Sequence, residues 1–560
     1  MEEAKKGISR RSFLKGVAVG AAGIAAAGAL AGCGEETGTK TPPKEGEEPK
    51  KLSFEVPPEP IPEKDIKETV TADVVVCGAG LAGMCAAISA AQAGAKVVLL
   101  EKGSTISLRG IDYGAVGSKI QESSGAKVDK VQAVREIMRW GGYKADQRVV
   151  SLWANYSGAA VDWLLDMARA AGQTVKPVPL EHQVVPNSTV PYFTTQTFEL
   201  VPSEEALAAA PKGEMPRQAA MRYTLETNAK KAGVDIRFNT PAVRLVREDK
   251  GRVTGVIAES KDGSYIKFNA RKGVILCTGG YENDPEMLKA YIPSTKDIYG
   301  ITYPGKNNTG DGHKMALWIG AAMDETPHAP MYFDQGLEGL PPAYKPVPLT
   351  RQPWLGVNLR GERFVNEDLP YGYVCNAMLQ QPGHMKWAVW DSKWPDEAPR
   401  FGMTACKAMR PPLHDPKEID DLIKKGIIKS ANTIDELAQK MDVPVETFKA
   451  TVARYNELAK LGKDLDFGKR PECLTTIEKA PFYAAKLAVC LLVTLGGLKV
   501  NEKLQVLDKE NKVIPGLYAA GNTSGCFFAY DYPNVMPGLS HGRVLTFGWL
   551  AGKNAAAERV

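Results

Sequence analysis

Asp73-Val74-Val75-Val76-Cys77-Gly78-Ala79-Gly80-Leu81-Ala82-Gly83 reads as a short buried strand running into a G-x-G-x-x-G turn. Met84 to Ala93 follows as an alanine-rich helix with no breaker until Gly94, and Lys96-Val97-Val98-Leu99-Leu100 is a second buried strand ending on Glu101. Each glycine has a separate duty in such a unit: a tight turn, close backbone approach to a pyrophosphate, and close packing of helix on sheet. The helix start offers free N–H groups and a positive dipole end to phosphate. Glu101 stands where an acid accepts from ribose hydroxyls, which favours a plain ribose over a 2′-phosphate. Strand, turn, helix, second strand and terminal acid together predict a dinucleotide-binding βαβ unit.

The chain is long enough for two domains, and 44% hydrophobic with 24% charged residues is an ordinary globular composition. The net charge of +5 is small for 560 residues, and no basic run is interleaved with aromatics, so nothing points to nucleic acid. Nine cysteines without a C-x-x-C spacing predict no zinc site, iron–sulfur cluster or attached haem. Cys77, Cys85 and Cys277 read as buried thiols.

Residues 1–33 read as an export signal. Ser9-Arg10-Arg11-Ser12-Phe13-Leu14-Lys15 resembles a twin-arginine motif, and Gly16 to Leu30 is too short to span a bilayer as a stable anchor. Leu30-Ala31-Gly32-Cys33 resembles a lipobox, which implies a lipid anchor on Cys33 and a place on the outer face of the cytoplasmic membrane or in the periplasm. Ordinary cleavage nearby, with Cys33 incidental, is the alternative. Residues 34–68, rich in Glu, Lys and Pro, read as a disordered tether.

Further on, helical patterns cover Val131 to Ala171 and Met221 to Lys231. Strand Val234–Phe238 and a hairpin through Val243–Val246 and Val253–Ala258 precede strand Gly273–Cys277, which runs into Thr278-Gly279-Gly280. With Gly516-Leu517-Tyr518-Ala519-Ala520-Gly521-Asn522, Thr309-Gly310-Asp311-Gly312 and Gly361-Glu362-Arg363-Phe364-Val365-Asn366-Glu367, this layout resembles the fumarate reductase, succinate dehydrogenase and 3-ketosteroid dehydrogenase flavoprotein superfamily. The resemblance implies an α/β fold: a discontinuous Rossmann-like FAD-binding domain, residues 70–305 and 486–560, with an inserted α+β cap over 306–485. It implies FAD contacts from Gly78, Ala79, Gly80, Ala82, Gly83, Glu101, Lys102, Gly110, Val243, Thr278, Gly279, Asp311, Gly521, Asn522, Leu539 and Ser540. Some relatives carry an attaching His in the segment matching Lys102–Gly110; none stands there, so non-covalent FAD is expected. Helices near Ile434–Lys440 and Val445–Leu461 carry no expected chemistry.

Relatives that reduce fumarate place a proton-donating Arg shortly after the Asn-Glu motif; here that position is Tyr371. Their carboxylate-binding His and Arg correspond to Val493 and Val535. A buried dicarboxylate needs cationic, preferably bidentate, partners, so fumarate is not the expected substrate. Asn-Glu-x-x-x-Tyr and Tyr-Pro-x-x-x-x-Gly instead resemble 3-ketosteroid dehydrogenases and flavin-dependent enone reductases. Carried over by position, Tyr371 is the proton donor or acceptor, and Gly538 N–H with the Tyr532 hydroxyl would hold a ketone oxygen. The loop is longer than the pattern by about two residues, so Tyr530 competes with Tyr532. Donors aimed at the oxygen that gains charge lower the barrier, and a phenol is a reasonable acid toward an enolate carbon. Tyr332, Trp354, Tyr373, Phe528 and Tyr530, with Phe527 and Trp549, are expected around a flat apolar pocket, although core packing accounts for any one aromatic equally well. Arg351 reads as a proton relay or a surface ion pair, and His541 is expected close to the flavin. His313 and His328 lack partners at ligand spacing.

The expected activity is an exported FAD-dependent reductase moving hydride from flavin N5 to an activated C=C beside a carbonyl in anaerobic respiration, supplied by a separate quinol-linked haem or flavin donor. The alternatives are a 3-ketosteroid-type dehydrogenase running the other way and a non-catalytic flavin lipoprotein that carries electrons or binds ligands.

Overall fold

Strand β1 (Ile66–Cys77) begins half-exposed and ends in a fully buried Val74–Cys77 run, as a strand does when it passes from the rim to the centre of a covered parallel sheet. It leads into helix α1 (Leu81–Gln92) and strand β2 (Val97–Leu100), with Val74 paired to Val97 and Cys77 to Leu100 in parallel. On its other side β1 pairs in parallel with β3 (Tyr265–Leu276). The sheet has eight strands; outward from β3 come Val513–Ala519 and Gln505–Leu507, and outward from β2 comes Asp235–Arg237. The Ala242–Arg247 and Val253–Glu259 hairpin is added antiparallel on the early half of β3. This computed structural model describes residues 51–110, 112–343, 345–401 and 415–559. The twin-arginine motif, Cys33 and residues 34–50 of the expected tether lie outside the described residues.

The remainder of that tether differs from expectation. Phe54 is buried against Tyr291, and its carbonyl accepts the Trp318 indole N–H at 2.9 Å. Arg244 donates to the carbonyls of Pro58 and Glu59, both at 3.0 Å. One aromatic in a charged segment suffices to dock it, and a composition-based reading averages that residue away. The expected helix over 131–171 is two helices, Lys130–Trp140 and Gln147–Ala170, because Gly142 and Tyr143 adopt positive φ between them. Trp140, Trp153, Val161, Leu164 and Leu165 are core residues as expected, while Leu152 and Trp163 are half-buried.

A second, six-stranded sheet is built around β5 (Phe482–Thr494), which pairs with β4 (Pro330–Leu337), Met385–Asp391, Ile428–Ala431 and Gly300–Ile301. Leu355–Val357 extends it beyond Met385–Asp391. Its strands therefore reach from Gly300 to Thr494, beyond both ends of the 306–485 segment. The far end of β5 carries Leu492 and Val493 out of this sheet toward the first one.

The Gly361–Glu367 motif has a structural use. Arg363 Nη2 donates to Glu367 Oε2 at 2.9 Å and to Asp464 Oδ2 at 2.7 Å. Lys469 Nζ lies 3.3 Å from Glu367 Oε2 and donates to the Tyr455 hydroxyl at 2.7 Å, and Gly356 N–H donates to Glu367 Oε1 at 2.9 Å. All four charged side chains are buried. Burial alone would raise the Glu367 carboxyl, but Lys469 and Arg363 outweigh it and hold the group below its ordinary range. A folded-state value below the unfolded one gives stability that is present at neutral pH and is lost as pH falls through the depressed value. Glu367→Ala, which strands buried cations, is expected to cost about 3–5 kcal/mol. Chemical denaturation at pH 7 checks this, and the gap to the parent should narrow below about pH 4.

Candidate functional site

The C-terminal ends of β1 and β3, the start of α1, the end of β5 and the start of the C-terminal helix (Leu539–Ala556) meet at an open cavity of about 1330 Å³. Its floor is backbone packed on backbone. Gly78 has φ +101° and a Cβ there would lie 2.4 Å from Cys277 O, while a Cβ on Gly83 would lie 1.8 Å from Gly78 O. Gly80 caps α1 without a side-chain hydrogen bond, so the first-turn N–H groups have no intrahelical acceptor and suit an anion. Glu101 braces the turn: Oε2 accepts the Ala79 N–H at 2.7 Å and Oε1 the Gly103 N–H at 2.6 Å. Lys102 Nζ donates to Asp311 Oδ2 at 2.7 Å and Thr309 Oγ1 at 2.9 Å. Burial would raise the Asp311 carboxyl, but Lys102 holds it below its ordinary value. At the other wall Gly312 N–H donates to Thr278 Oγ1 at 3.1 Å, and Arg543 donates to Asn522 Oδ1 at 2.7 Å.

Of the expected cofactor residues, Gly78, Gly80, Ala82, Glu101, Lys102, Gly110, Thr278, Gly279, Asp311, Gly521, Asn522 and Ser540 line the cavity. Ala79, Gly83 and Leu539 adjoin it through the turn and the two helix starts. Val243 is not among the lining residues, whereas its neighbours Pro241 and Ala242 are. Arg109, Tyr303, Asn307, Asn308 and Met331 also line the cavity, and sequence reasoning passed over them. Arg109 Nη1 donates to the buried Glu282 Oε1 at 2.6 Å, with its guanidinium 4.5 Å from the Tyr303 ring. No motif joins residues so far apart in sequence. The His541 ring occupies the space a side chain at position 110 would fill, since a Cβ on Gly110 would sit 2.0 Å from its Cε1. Burial pulls that imidazole below its ordinary value, so it is neutral at pH 7.

Tyr371 opens helix α2 (Tyr371–Leu379), is 1% exposed, and stacks on Phe333 of β4 with ring centroids 4.4 Å apart. Arg351 is not a surface residue: its guanidinium lies 5.3 Å from the Phe333 ring and Nε 3.5 Å from Asp334 Oδ1. α2 leans on the 531–534 loop through Asn376 Nδ2, which donates to Asp531 Oδ2 at 2.6 Å. In that loop Asp531 Oδ1 accepts the Tyr532 N–H at 2.7 Å, and the Tyr532 hydroxyl accepts the Ser540 N–H at 3.1 Å. Gly538 turns with φ +75° and its carbonyl accepts the Gly114 N–H at 2.8 Å. Tyr371, Tyr532 and Gly538 do not themselves line the cavity; Tyr532 meets the lining residue Ser540 through that hydrogen bond, and Asp531 ties the loop to α2 through Asn376. Val493 lines the cavity, whereas Val535 is buried with its carbonyl taking the Phe193 N–H.

Several expected pocket aromatics are elsewhere. Trp354 is 1% exposed, packs on Trp390 and Phe401, and donates to Leu349 O at 2.7 Å, which makes it core. Tyr332 lies in the same core, its hydroxyl 2.7 Å from Ser294 Oγ. Phe528 is buried among Phe527, Tyr532 and Arg543. Tyr530 is 43% exposed at φ +60°, whereas Tyr532 is buried with its hydroxyl on the Ser540 N–H. Tyr373 is half-buried, stacked on Trp140 at 4.2 Å. His328 bonds Tyr281 through Nδ1 at 2.7 Å and Asp324 O through Nε2 at 3.0 Å.

Residues 73–531 match the FAD binding domain family. The chain belongs to that family. It is 31% identical to the vinyl phenol reductase of Lactiplantibacillus plantarum over 505 residues, 86% of this chain and 96% of that protein. It is 28% identical to a fumarate reductase (cytochrome) of Shewanella frigidimarina, over 87% of this chain and 77% of the relative. Its fold superposes on 3-ketosteroid-Δ4-(5α)-dehydrogenase of Rhodococcus jostii RHA1 with a TM-score of 0.68 at 25% identity, covering 89% and 99% of the two chains. The protein is an FAD-dependent oxidoreductase whose relatives include reductases and dehydrogenases. The cavity fits that cofactor: a glycine turn without room for side chains, free helix N–H groups for phosphate, and Glu101 beside the turn. Gly83→Ala is expected to abolish FAD retention, read as loss of the 450 nm band in purified protein, whereas Gly94→Ala, strained by its φ of +87° but with nothing within 4 Å of its Cβ, keeps the cofactor.

Proposed function

We propose that this enzyme reduces an activated C=C bond beside a carbonyl in a flat, largely apolar substrate, and does not act on dicarboxylates. The observation that carries the reading is the charge state of the cavity wall. Its two cationic side chains, Lys102 and Arg109, are already paired with Asp311 and Glu282, and beside them stand Met331, Leu492 and Val493. A dianion would have to break an existing ion pair to find a partner, whereas an uncharged conjugated system only exchanges water for apolar surface. The vinyl phenol reductase among its relatives supports a reductase reading.

When bound and reduced by the electron donor, the flavin would supply a hydride equivalent to one carbon of the double bond. The chain supplies the rest. Tyr371, held rigid by Phe333 and by burial, delivers the proton to the neighbouring carbon, so the C=C becomes CH–CH. The Tyr532 hydroxyl and Gly538 N–H hold the carbonyl oxygen, which gains negative charge as hydride arrives. Arg351, behind Phe333, belongs to the route that returns a proton to Tyr371. The same arrangement run backwards is a dehydrogenase, and the Rhodococcus structure favours keeping that direction open; the electron partner sets it. We further propose twin-arginine export, a lipid anchor at Cys33, and a separate quinol-linked haem or flavin donor, which the N-terminal motifs support.

Tyr371→Phe is expected to lower the rate at which dithionite-reduced enzyme is reoxidised by 4-phenyl-3-buten-2-one by about 10²–10⁴-fold, with FAD content unchanged. Stopped-flow absorbance at 450 nm under anaerobic conditions measures it. An unchanged rate, or fast reoxidation of the parent enzyme by fumarate, would overturn the assignment.

A further inference from the structure

Asn534 is 1% exposed, and neither its Nδ2 nor its Oδ1 has a hydrogen-bond partner among the described residues. An amide buried with nothing to bond has given up its hydrogen bonds to water without replacement, so such a group in a folded enzyme calls for an explanation. Its position supplies one. The amide presses on the first turn of α2, with Nδ2 3.0 Å from where a Cβ on Gly372 would stand, the residue next to Tyr371. α2 starts on Pro370 without a side-chain cap; the Tyr373 and Val374 N–H groups donate to Pro370 O, which leaves those of Tyr371 and Gly372 as the ones without an intrahelical acceptor. The amide also belongs to the short loop that carries Tyr532, its own N–H donating to Tyr532 O at 2.8 Å.

Asp531 limits what can be bound there. Its Oδ1 lies 3.4 Å from the same Cβ position on Gly372. Burial lifts its carboxyl to about 6, against the Tyr532 N–H and Asn376 that lower it, so at neutral pH it is an anion. A second carboxylate would meet like charge in a water-poor site. A hydroxyl can donate to Oδ1 or accept from Nδ2, and so satisfies the amide with either polarity.

We infer that Asn534 and the first turn of α2 form a recognition point for a neutral hydroxyl on the substrate, separate from the carbonyl held by Tyr532 and Gly538, and that this point discriminates against a carboxylate. The inference rests on the proposed reading of the site, naming the substrate class as hydroxylated unsaturated carbonyl compounds. Its test uses oxidised enzyme and ligands that carry no reducible C=C, so it reads binding alone and stands apart from the turnover experiment on Tyr371.

The full-chain holoenzyme is titrated at pH 7 with 4-hydroxyacetophenone, acetophenone and 4-acetylbenzoate, following perturbation of the flavin band. Parent enzyme is expected to bind the hydroxyl compound about tenfold tighter than acetophenone, with the benzoate weakest. Asn534→Ala should bring the hydroxyl and plain ketones to within about twofold of each other, at unchanged acetophenone affinity and FAD content. A parent enzyme without hydroxyl preference, or one that binds the carboxylate best, overturns the inference whatever the variant does. So does an Asn534→Ala enzyme that holds FAD and keeps the full preference.

Discussion

The carbonyl of Gly78 lies directly against the Cα of Gly83, and the rest of the cofactor domain depends on that contact. With no side chain between them, α1 sits close enough to β1 and β3 for its first N–H groups to reach into the cavity. The C-terminal helix repeats the device along the same helix: Cβ atoms on Gly548 and Gly552 would fall 2.4 Å from Ala82 O and 2.2 Å from Ala86 O. Two helices thus nest backbone to backbone, and both begin at the cofactor cavity. Close packing of this kind has little give, so the spacing between the phosphate-binding start of α1 and the Ser540–His541 end of the cavity is set by the chain rather than by the ligand.

The second sheet is tied to this arrangement through one strand. β5 pairs with four other strands and then delivers Leu492 and Val493 to the cavity, while Thr494 donates to Glu282. Glu282 takes Arg109 from the segment after the first βαβ unit and Asn308 from the loop carrying Tyr303. A single buried carboxylate therefore gathers three separate segments at the mouth of the site. Below α2, the network around Glu367 performs the same task for the loop that leads to Tyr371.

Local pattern carried the cofactor half of the molecule. Strand, glycine turn and helix between Asp73 and Glu101 are contiguous, and their periodicities and special residues all agree, so the unit could be read directly. The Thr309–Gly312 and Gly516–Asn522 segments were legible for the same reason, each being a compact turn with its own glycines. The substrate half was legible only where a motif fixed a position, as at Tyr371. Aromatic residues there look alike in sequence whether they line a pocket or fill a core, and Trp354 and Tyr332 went to the core because strand alternation and an indole N–H bond to Leu349 O placed them there. Arg109 with Glu282, and Asn534 against Gly372, join residues with no sequence relation, and only the folded chain reveals them. Phe54 was hidden by the charge of its neighbours.

Leu517 lies beside Val274 in the parallel sheet although nearly half the chain separates them, and Gly521, Asn522 and Ser540 close a cavity whose opening turn is at Gly78. During synthesis the glycine turn emerges well before the wall opposite it. Non-local strand pairing of this kind is slow to form, and the nascent chain must keep the β3 edge unsatisfied until its partner arrives. A polypeptide halted before Leu517 would expose that hydrophobic edge and lack one wall of the cavity, which makes the segment from Leu517 to Ser540 a checkpoint on folding as much as a part of the binding site.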